Sequence, residues 1–339
     1  MSLTLGVEKL KQHLLYTCNS GYISKTTPVS TFIIGDPERA KSTETIKLKN
    51  KGIIVMNDLT AWGITNYIKN LSETERKQFH HLIIPDLERI NARSKTVRAE
   101  ILTQLHILMQ EGLTQIETKN TQIIFNTPYK IGVITVTTPE DISSRNNVFR
   151  RASFISCFIP FSFDYSIDMK LEILKFIGTE EHSKQDLIKI PHRKRKIDII
   201  LPEIYLNELD KYAMHTAKMI DLFTAKAIKK RIYDEKLKED KIIYTYDDRE
   251  HLYGARAKEQ YQTYLKSIAY TNHDTVVNDT HFEIFKNLYP YFNFNLNDID
   301  KPQIEQRIMQ EGRLLSWLFF HILIYPCILH PLGESAISC

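Results

Sequence analysis

The sequence predicts an α/β fold in the first half of the chain, followed by a largely helical second half. A β-branched and aromatic run at 31–34 ends at a glycine and precedes a short polar loop and a helical pattern. Short apolar runs at 52–56, 81–84 and 131–137 predict further buried strands. Residues 202–288 have a helical pattern throughout, so we expect helices to dominate the carboxyl-terminal part.

The segment after the first predicted strand has the spacing of a phosphate-binding loop, G-x-x-x-x-A-K-S. Backbone N–H groups of such a loop surround an anion, the lysine reaches the β- and γ-phosphates, and the hydroxyl ligates Mg²⁺. The residues that this interpretation assigns to the nucleotide are Gly35, Asp36, Pro37, Ala40, Lys41, Ser42 and Thr43. The alternative is an ordinary strand, turn and helix with a chance Lys-Ser, since alanine tolerates positive φ poorly.

Length and composition are those of a globular protein of one or two domains. The chain has 339 residues, of which 42% are hydrophobic and 25% charged, with a net charge of +4. This mild excess permits a polyanionic partner without requiring one. The 4 cysteines are scattered and form no CxxC pair. This pattern favours a protein of the reducing cytoplasm, and it argues against a zinc site. We also expect no secretion signal, because the first residues lack a basic-then-apolar leader.

A candidate acidic motif follows the predicted strand at 81–84. In phosphate-loop ATPases, a carboxylate at a strand end holds Mg²⁺ and a neighbouring one polarises the attacking water. Here Asp86 is the candidate for either role and Glu88 stands two residues further on, so no adjacent acid pair is present. Nucleotide binding with slow or absent hydrolysis is therefore an open alternative to an active ATPase, and a further alternative is that Asp86 only ends a strand.

Several segments resemble one family. G-D-P-x-x-A-K-S is similar to the phosphate loop of the minichromosome-maintenance (MCM) helicases, a branch of the AAA+ ATPases in which alanine is usual at the position of Ala40. L-H-x-x-M-x-x-G at 105–112, followed by a predicted strand pair, resembles the helix before the MCM pre-sensor hairpin. G-x-R at 254–256 resembles the start of the sensor 2 helix in the AAA+ lid.

The resemblance implies a three-layer α/β/α AAA+ core with a C-terminal helical lid. It implies that ATP and Mg²⁺ bind at subunit interfaces of a ring. It also implies that Thr138 senses the γ-phosphate and that Arg256 reaches the nucleotide from the lid. Cys157 stands where the family has an arginine that acts on a neighbour's nucleotide, and Arg151 is a candidate substitute. The alternative for Arg151 is an ordinary surface charge.

The predicted organisation is a nucleotide-binding core at 1–190, a basic linker at 191–197, a helical lid at 198–295 and a helical tail at 296–339. The tail contains an apolar run, 314–329, which is shorter than the roughly 20 residues that a bilayer span requires. We therefore expect it to contact protein rather than a membrane.

The first functional hypothesis is an MCM-like ATPase that acts on DNA as a homo-oligomeric ring in the cytoplasm. The second is a nucleotide-binding regulatory or structural protein with little turnover, which the acidic motif and Cys157 favour. The third is a MoxR-like ATPase that remodels proteins.

Overall fold

The computed structural model describes residues 7–36, 41–48, 50–118, 121–139, 152–165, 167–177, 190, 196–224, 227–234, 239–246, 252 and 254–294. The helices are α1 Glu8–Asn19, α2 Lys41–Ile46, α3 Ala61–Asn70, α4 Glu73–Gln78, α5 Glu88–Asn91, α6 Lys95–His106, α7 Ala152–Ile155, α8 Ile167–Ile177, α9 Glu203–Thr224, α10 Ala255–Thr271 and α11 Asp279–Leu288. The strands are β1 Thr31–Ile34, β2 Ile53–Val55, β3 His81–Ile84, β4 Leu113–Thr118, β5 Thr121–Tyr129, β6 Gly132–Thr137, β7 Ile159–Ser162, β8 Ala227–Asp234 and β9 Glu239–Tyr246.

Five strands form one parallel sheet in the order β2-β3-β6-β1-β7. Strand β1 is central to the phosphate-loop hypothesis and lies between β6 and β7, with Ile34 paired to Thr137 and Ser162. The four residues of β1 are all buried, as its uninterrupted apolar pattern predicts for a strand covered on both faces. The predicted α/β class and the predicted strands are therefore confirmed. The hairpin predicted before β6 is also confirmed, as β4 and β5.

Neighbouring residues of β1 belong to two separate hydrophobic cores. Ile33 lies in a core with α1, α10 and α11, whereas Phe32 and Ile34 lie in a core with α3 and α6. Because successive strand residues face opposite sides of a sheet, these cores lie on opposite faces and helices cover both. The helices α10 and α11 thus share a core with the sheet, and α9, α10 and α11 fall in the same compact unit as the sheet.

A buried histidine joins α1 to the sheet and to α10. His13 is fully buried, and its Nε2–H donates to Thr31 Oγ1 over 2.8 Å, while Tyr264 donates its hydroxyl to His13 Nδ1 over 2.9 Å. Thr31 donates its own hydroxyl to Ile159 O at 2.7 Å, which fixes the donor at Nε2. The imidazole also stacks on Phe161, with ring centroids 4.4 Å apart. Burial lowers the pKa of His13 to about 3.

Two further buried imidazoles, those of His80 and His81, lie where β3 begins. His81 donates Nε2–H to Val29 O at 3.0 Å, so its Nδ1 accepts from His80 Nδ1–H at 2.6 Å. Burial, opposed by the hydrogen bond to Val29 and aided by the nearby Lys196 ammonium, lowers the pKa of His81 to about 4. Gly132 leaves room for this ring, because a Cβ there would lie 2.5 Å from the imidazole.

The prediction of helix throughout 202–288 is wrong between α9 and α10. Strands β8 and β9 form an antiparallel hairpin there, which belongs to a separate compact unit. The hairpin sequences AIKKRIYD and EDKIIYTY are rich in isoleucine and tyrosine, which favour strands over helices. This local preference outweighs the helical patterns on either side.

Two predictions fall wholly or largely outside the described residues. These are the helical tail at 296–339 and most of the linker at 191–197. The boundaries proposed for core, linker and lid therefore stay predictions. Within the described ranges, none of the helices combines the length and apolar character needed to cross a membrane.

We expect the free energy of unfolding to fall as the pH drops from about 6.5 towards 4. The unfolded chain takes up protons near the ordinary histidine pKa of about 6.5, whereas buried His13 and His81 stay neutral to lower pH. Each contributes a slope of up to about 1.4 kcal/mol per pH unit in that window. Urea unfolding at several pH values measures it.

The variant His81→Asn should make this pH dependence shallower, because one of the two buried imidazoles is gone. The control is His273→Asn, since His273 is exposed and its positive φ of 67° suits asparagine. A slope that is the same in His81→Asn and in the unmodified chain would contradict the assignment.

Candidate functional site

The candidate site lies at the carboxyl-terminal edge of the parallel sheet, beside β1 and β6. After β1 the chain crosses to β2, the outermost strand on one side of the sheet. After β6 it crosses in the opposite direction to β7, the outermost strand on the other side. These neighbouring strands therefore form a topological switch point, where open α/β sheets bind ligands. Gly35 and Asp36 directly follow β1 at this edge, and Thr138 directly follows β6.

Lys41, the first residue of α2, folds back onto the end of β1. Its Nζ donates to Gly35 O and, over 2.6 Å, to Asp36 O, and the residue is 7% exposed. A buried ammonium requires such acceptors, because an uncompensated charge away from water is costly. The contacts hold the cation at the carboxyl end of β1. A phosphate oxygen is an acceptor of the same kind and carries more charge.

Ser42 joins the loop region to the end of β3. Its side chain donates to Pro85 O at 3.0 Å, although β6 separates β1 from β3 in the sheet. Ser42 and Thr43 are both exposed residues. The structure thus brings the predicted Mg²⁺ hydroxyl next to the segment that contains Asp86.

Asp86 contacts neighbouring residues of its own segment. Its Oδ1 accepts from Glu88 N at 3.0 Å, and its Oδ2 lies 3.5 Å from Arg89 Nε. Both contacts are with residues two and three positions further along the chain, which is in keeping with the alternative interpretation of Asp86 as a residue that only ends a strand. The carboxylate nevertheless remains 48% exposed at the same edge as Ser42. Glu88 is exposed as the first residue of α5.

Thr138 follows the strand residue that pairs with Ile34. Thr137 donates its hydroxyl to Thr138 O at 3.4 Å, and Thr138 is partly buried. Because β1 and β6 are parallel and in register here, Thr138 lies beside Gly35. Of the other predicted site residues, Pro37, Ala40 and Arg151 lie outside the described residues.

Arg256 lies away from this edge. Its Nη1 donates to Ser153 O at 2.8 Å and to Ser156 Oγ at 2.9 Å, and both serines precede β7. The amino end of β7 pairs with the start of β1, where Ile159 N donates to Ser30 O. These contacts connect Arg256 to the amino-terminal edge of the sheet, whereas Lys41 lies at the carboxyl-terminal edge. Arg256 and Lys41 of one chain are therefore not brought together.

The glycine before this arginine is needed for the position of α10. Gly254 has a φ of +90°, and a Cβ there would lie 2.7 Å from Ala213 O of α9. A larger residue would be strained and would push α10 away from α9. The G-x-R pattern thus has a structural basis in the close approach of two helices.

Sequence reasoning missed the surroundings of Arg256. A cavity of about 330 Å³ lies there, lined by Ser153, Ser156, Ala217, Ile220, Leu252, Gly254, Ala255, Arg256 and Ala257. His106 lies nearby, and burial and the Arg256 charge lower its pKa. Cys157 donates to Ser153 O at 3.1 Å, and burial raises its pKa to about 12. No sequence spacing relates these residues, because they come from four distant segments.

The cysteine that replaces the expected trans-acting arginine is therefore a neutral thiol at physiological pH. A thiol cannot carry the positive charge of a guanidinium, and this one is fully buried, so it is inaccessible from the surface. Among the residues that the structure describes, no cluster of three or more histidine, cysteine or acidic residues could hold a metal ion.

Comparison of the chain with protein-family models and with curated proteins found no match.

We expect Arg256→Gln to lower the free energy of unfolding by about 1–2 kcal/mol, because two charge-assisted hydrogen bonds are lost. The matched control is Lys258→Gln on the same turn of α10, which removes a solvent-accessible ion pair to Asp210. Such pairs contribute less than about 1 kcal/mol. Equal effects of the two substitutions in urea unfolding would contradict the anchoring role of Arg256.

Proposed function

We propose that this chain is an ATP-binding protein with a phosphate loop, of the AAA+ class and similar to the MCM branch, that works on DNA as a ring of identical subunits in the cytoplasm. The observation that carries the proposal is the position of Lys41. It is buried against the carbonyl groups that end β1, at the switch point of a parallel sheet. The residue types and their spacing at that point suit a triphosphate.

Within this proposal Lys41 exchanges carbonyl oxygens for the β- and γ-phosphate oxygens when ATP binds. Ser42 and Asp86 would hold Mg²⁺, since this cation is commonly bound through one or two oxygen ligands of the protein together with phosphate oxygens and water. When bound, Mg²⁺ supplies charge neutralisation at the phosphates. Thr138, beside Gly35, donates a hydrogen bond to the γ-phosphate or the attacking water.

Arg256 serves a neighbouring subunit in this proposal. Its contacts lie at the sheet edge opposite Lys41, so it is badly placed for the nucleotide of its own chain. A ring that places each nucleotide between subunits brings the far edge of one chain to the phosphate loop of the next. Arg151 remains the second candidate for the trans position.

The second candidate function is a nucleotide-dependent regulatory or structural protein with little hydrolysis. Two observations favour it: Asp86 is engaged by Glu88 N and Arg89, and Cys157 is a buried thiol. A trans arginine is worth roughly 10³–10⁵ in rate, so its loss alone would reduce turnover strongly. A MoxR-like ATPase shares this chemistry and differs in its client.

We expect Lys41→Met to weaken ATP binding at least about tenfold, because a charge-assisted contact to phosphate contributes about 1.5–3 kcal/mol. Isothermal titration with a non-hydrolysable ATP analogue and Mg²⁺ measures the Kd. The control Lys77→Met removes a lysine that is 74% exposed on α4. Thermal melts of both variants check folding, since Lys41 is buried. Unchanged affinity in a folded Lys41→Met variant would defeat the site assignment.

Steady-state phosphate release distinguishes the two functions. For the ATPase we expect a kcat below about 1 s⁻¹, the low end for enzymes, that rises with single-stranded DNA and falls in Asp86→Asn. Tight ATP binding without phosphate release, with or without DNA, would instead support the regulatory protein. Mass measurement in solution with ATP tests the ring.

A further inference from the structure

The hairpin of β8 and β9 has two faces of different composition. The strands pair over eight successive rungs, from Ala227 opposite Tyr246 to Asp234 opposite Glu239. Residues directly opposite in an antiparallel pair lie on the same face, and successive residues alternate between faces. The register therefore assigns every residue of the ribbon to one face or the other.

One face, which we call the tyrosine face, combines aromatic and basic residues. It consists of Ala227, Lys229, Arg231, Tyr233, Asp240, Ile242, Tyr244 and Tyr246. The other, the isoleucine face, consists of Ile228, Lys230, Ile232, Asp234, Glu239, Lys241, Ile243 and Thr245. All three tyrosines of the hairpin strands are thus on one face, and three of the four isoleucines are on the other.

Charge is also unevenly distributed along the ribbon. Four successive rungs each contain one basic residue and no acidic one, at Lys229, Lys230, Arg231 and Lys241. The acidic residues of the strands are confined to the two rungs nearest the connecting turn. The middle of the hairpin is consequently a basic band that complements a polyanion.

We propose that the tyrosine face binds single-stranded nucleic acid. Proteins bind single strands with basic residues along the backbone and aromatic residues on which the bases stack, and this face interleaves the two kinds. Residues two apart on one strand are about 7 Å apart, so Lys229, Arg231 and Tyr233 can meet successive nucleotides of an extended strand. A duplex offers no unpaired bases for the tyrosines, which is why a single strand is the preferred partner.

The inference deepens the DNA-directed part of the proposed function and rests on it. It concerns a segment that no motif of the ATPase resemblance covers. Binding to the hairpin needs no nucleotide, so the two proposals can fail separately.

The test measures binding of the full chain to a fluorescent oligothymidylate of about 20 nucleotides by anisotropy over a series of salt concentrations. One double variant, Lys229→Gln with Arg231→Gln, removes two cations from the tyrosine face. The matched control, Lys230→Gln with Lys241→Gln, removes two from the isoleucine face. We expect the first to weaken binding at least about tenfold and to reduce the salt slope by about 1.4, and the control to leave the slope nearly unchanged.

A second pair tests stacking. Tyr233→Leu with Tyr244→Leu should weaken binding about tenfold, whereas Ile232→Leu with Ile243→Leu should not. Equal losses in both basic variants would mean that net charge alone attracts the strand, which overturns the proposal. The proposal is also overturned if the unmodified chain does not bind the oligothymidylate. It is likewise overturned if a duplex binds as tightly as the single strand and its affinity is unchanged by the tyrosine substitutions.

ATP titration of the same variants separates the two proposals. Hairpin variants should retain the ATP affinity of the unmodified chain, and Lys41→Met should retain oligothymidylate binding in the absence of ATP. Loss of DNA binding in a hairpin variant with intact ATP affinity supports the inference. Failure of the unmodified chain to bind ATP refutes the proposed function and leaves the hairpin result interpretable.

Discussion

The hydrogen bonds of His13 are the constraint on which the arrangement of the sheet and its covering helices depends. One imidazole connects α1 through Nε2 to Thr31, the first residue of β1, and through Nδ1 to Tyr264 of α10. Thr31 in turn donates its hydroxyl to the carbonyl of Ile159 at the start of β7. Because the group is fully buried, loss of one partner would leave the others without hydrogen bonds away from water, at about 1–3 kcal/mol each. The connection fixes the amino end of β1, and the carboxyl end of the same strand carries the candidate phosphate loop.

The same packing limits how α10 can respond to a ligand. Tyr261, Tyr264 and Phe285 share one core with Ile33 of β1 and Phe161 of β7. Separation of α10 from the sheet would expose these aromatic residues and break the His13 hydrogen bonds. We therefore infer that α10 moves with the sheet as one unit.

The two proposals concern separate parts of the molecule with different chemistry. At the sheet edge, Lys41 and Ser42 donate hydrogen bonds to the carbonyl groups of Gly35 and Pro85, and the proposed phosphate site depends on these contacts. In the hairpin, a regular register sorts basic and aromatic residues onto one face. The first needs tertiary contacts between strands that are distant in sequence, and the second needs only local pairing.

The sequence by itself determined β1, β2, β3, the β4–β5 hairpin and β6, the phosphate-loop spacing and the helix that begins after Gly254, because apolar periodicity and glycine conformation are local properties. Thr31 to Ile34 could be identified as a buried strand from four residues. The hairpin at 227–246 was missed because helical patterns on both sides masked a short strand preference. Only the tertiary structure decided that Ser42 meets Pro85, that Arg256 meets Ser153 and Ser156, and that His13 joins three elements. These contacts depend on the order of strands in the sheet, and spacing along the chain carries no record of that order.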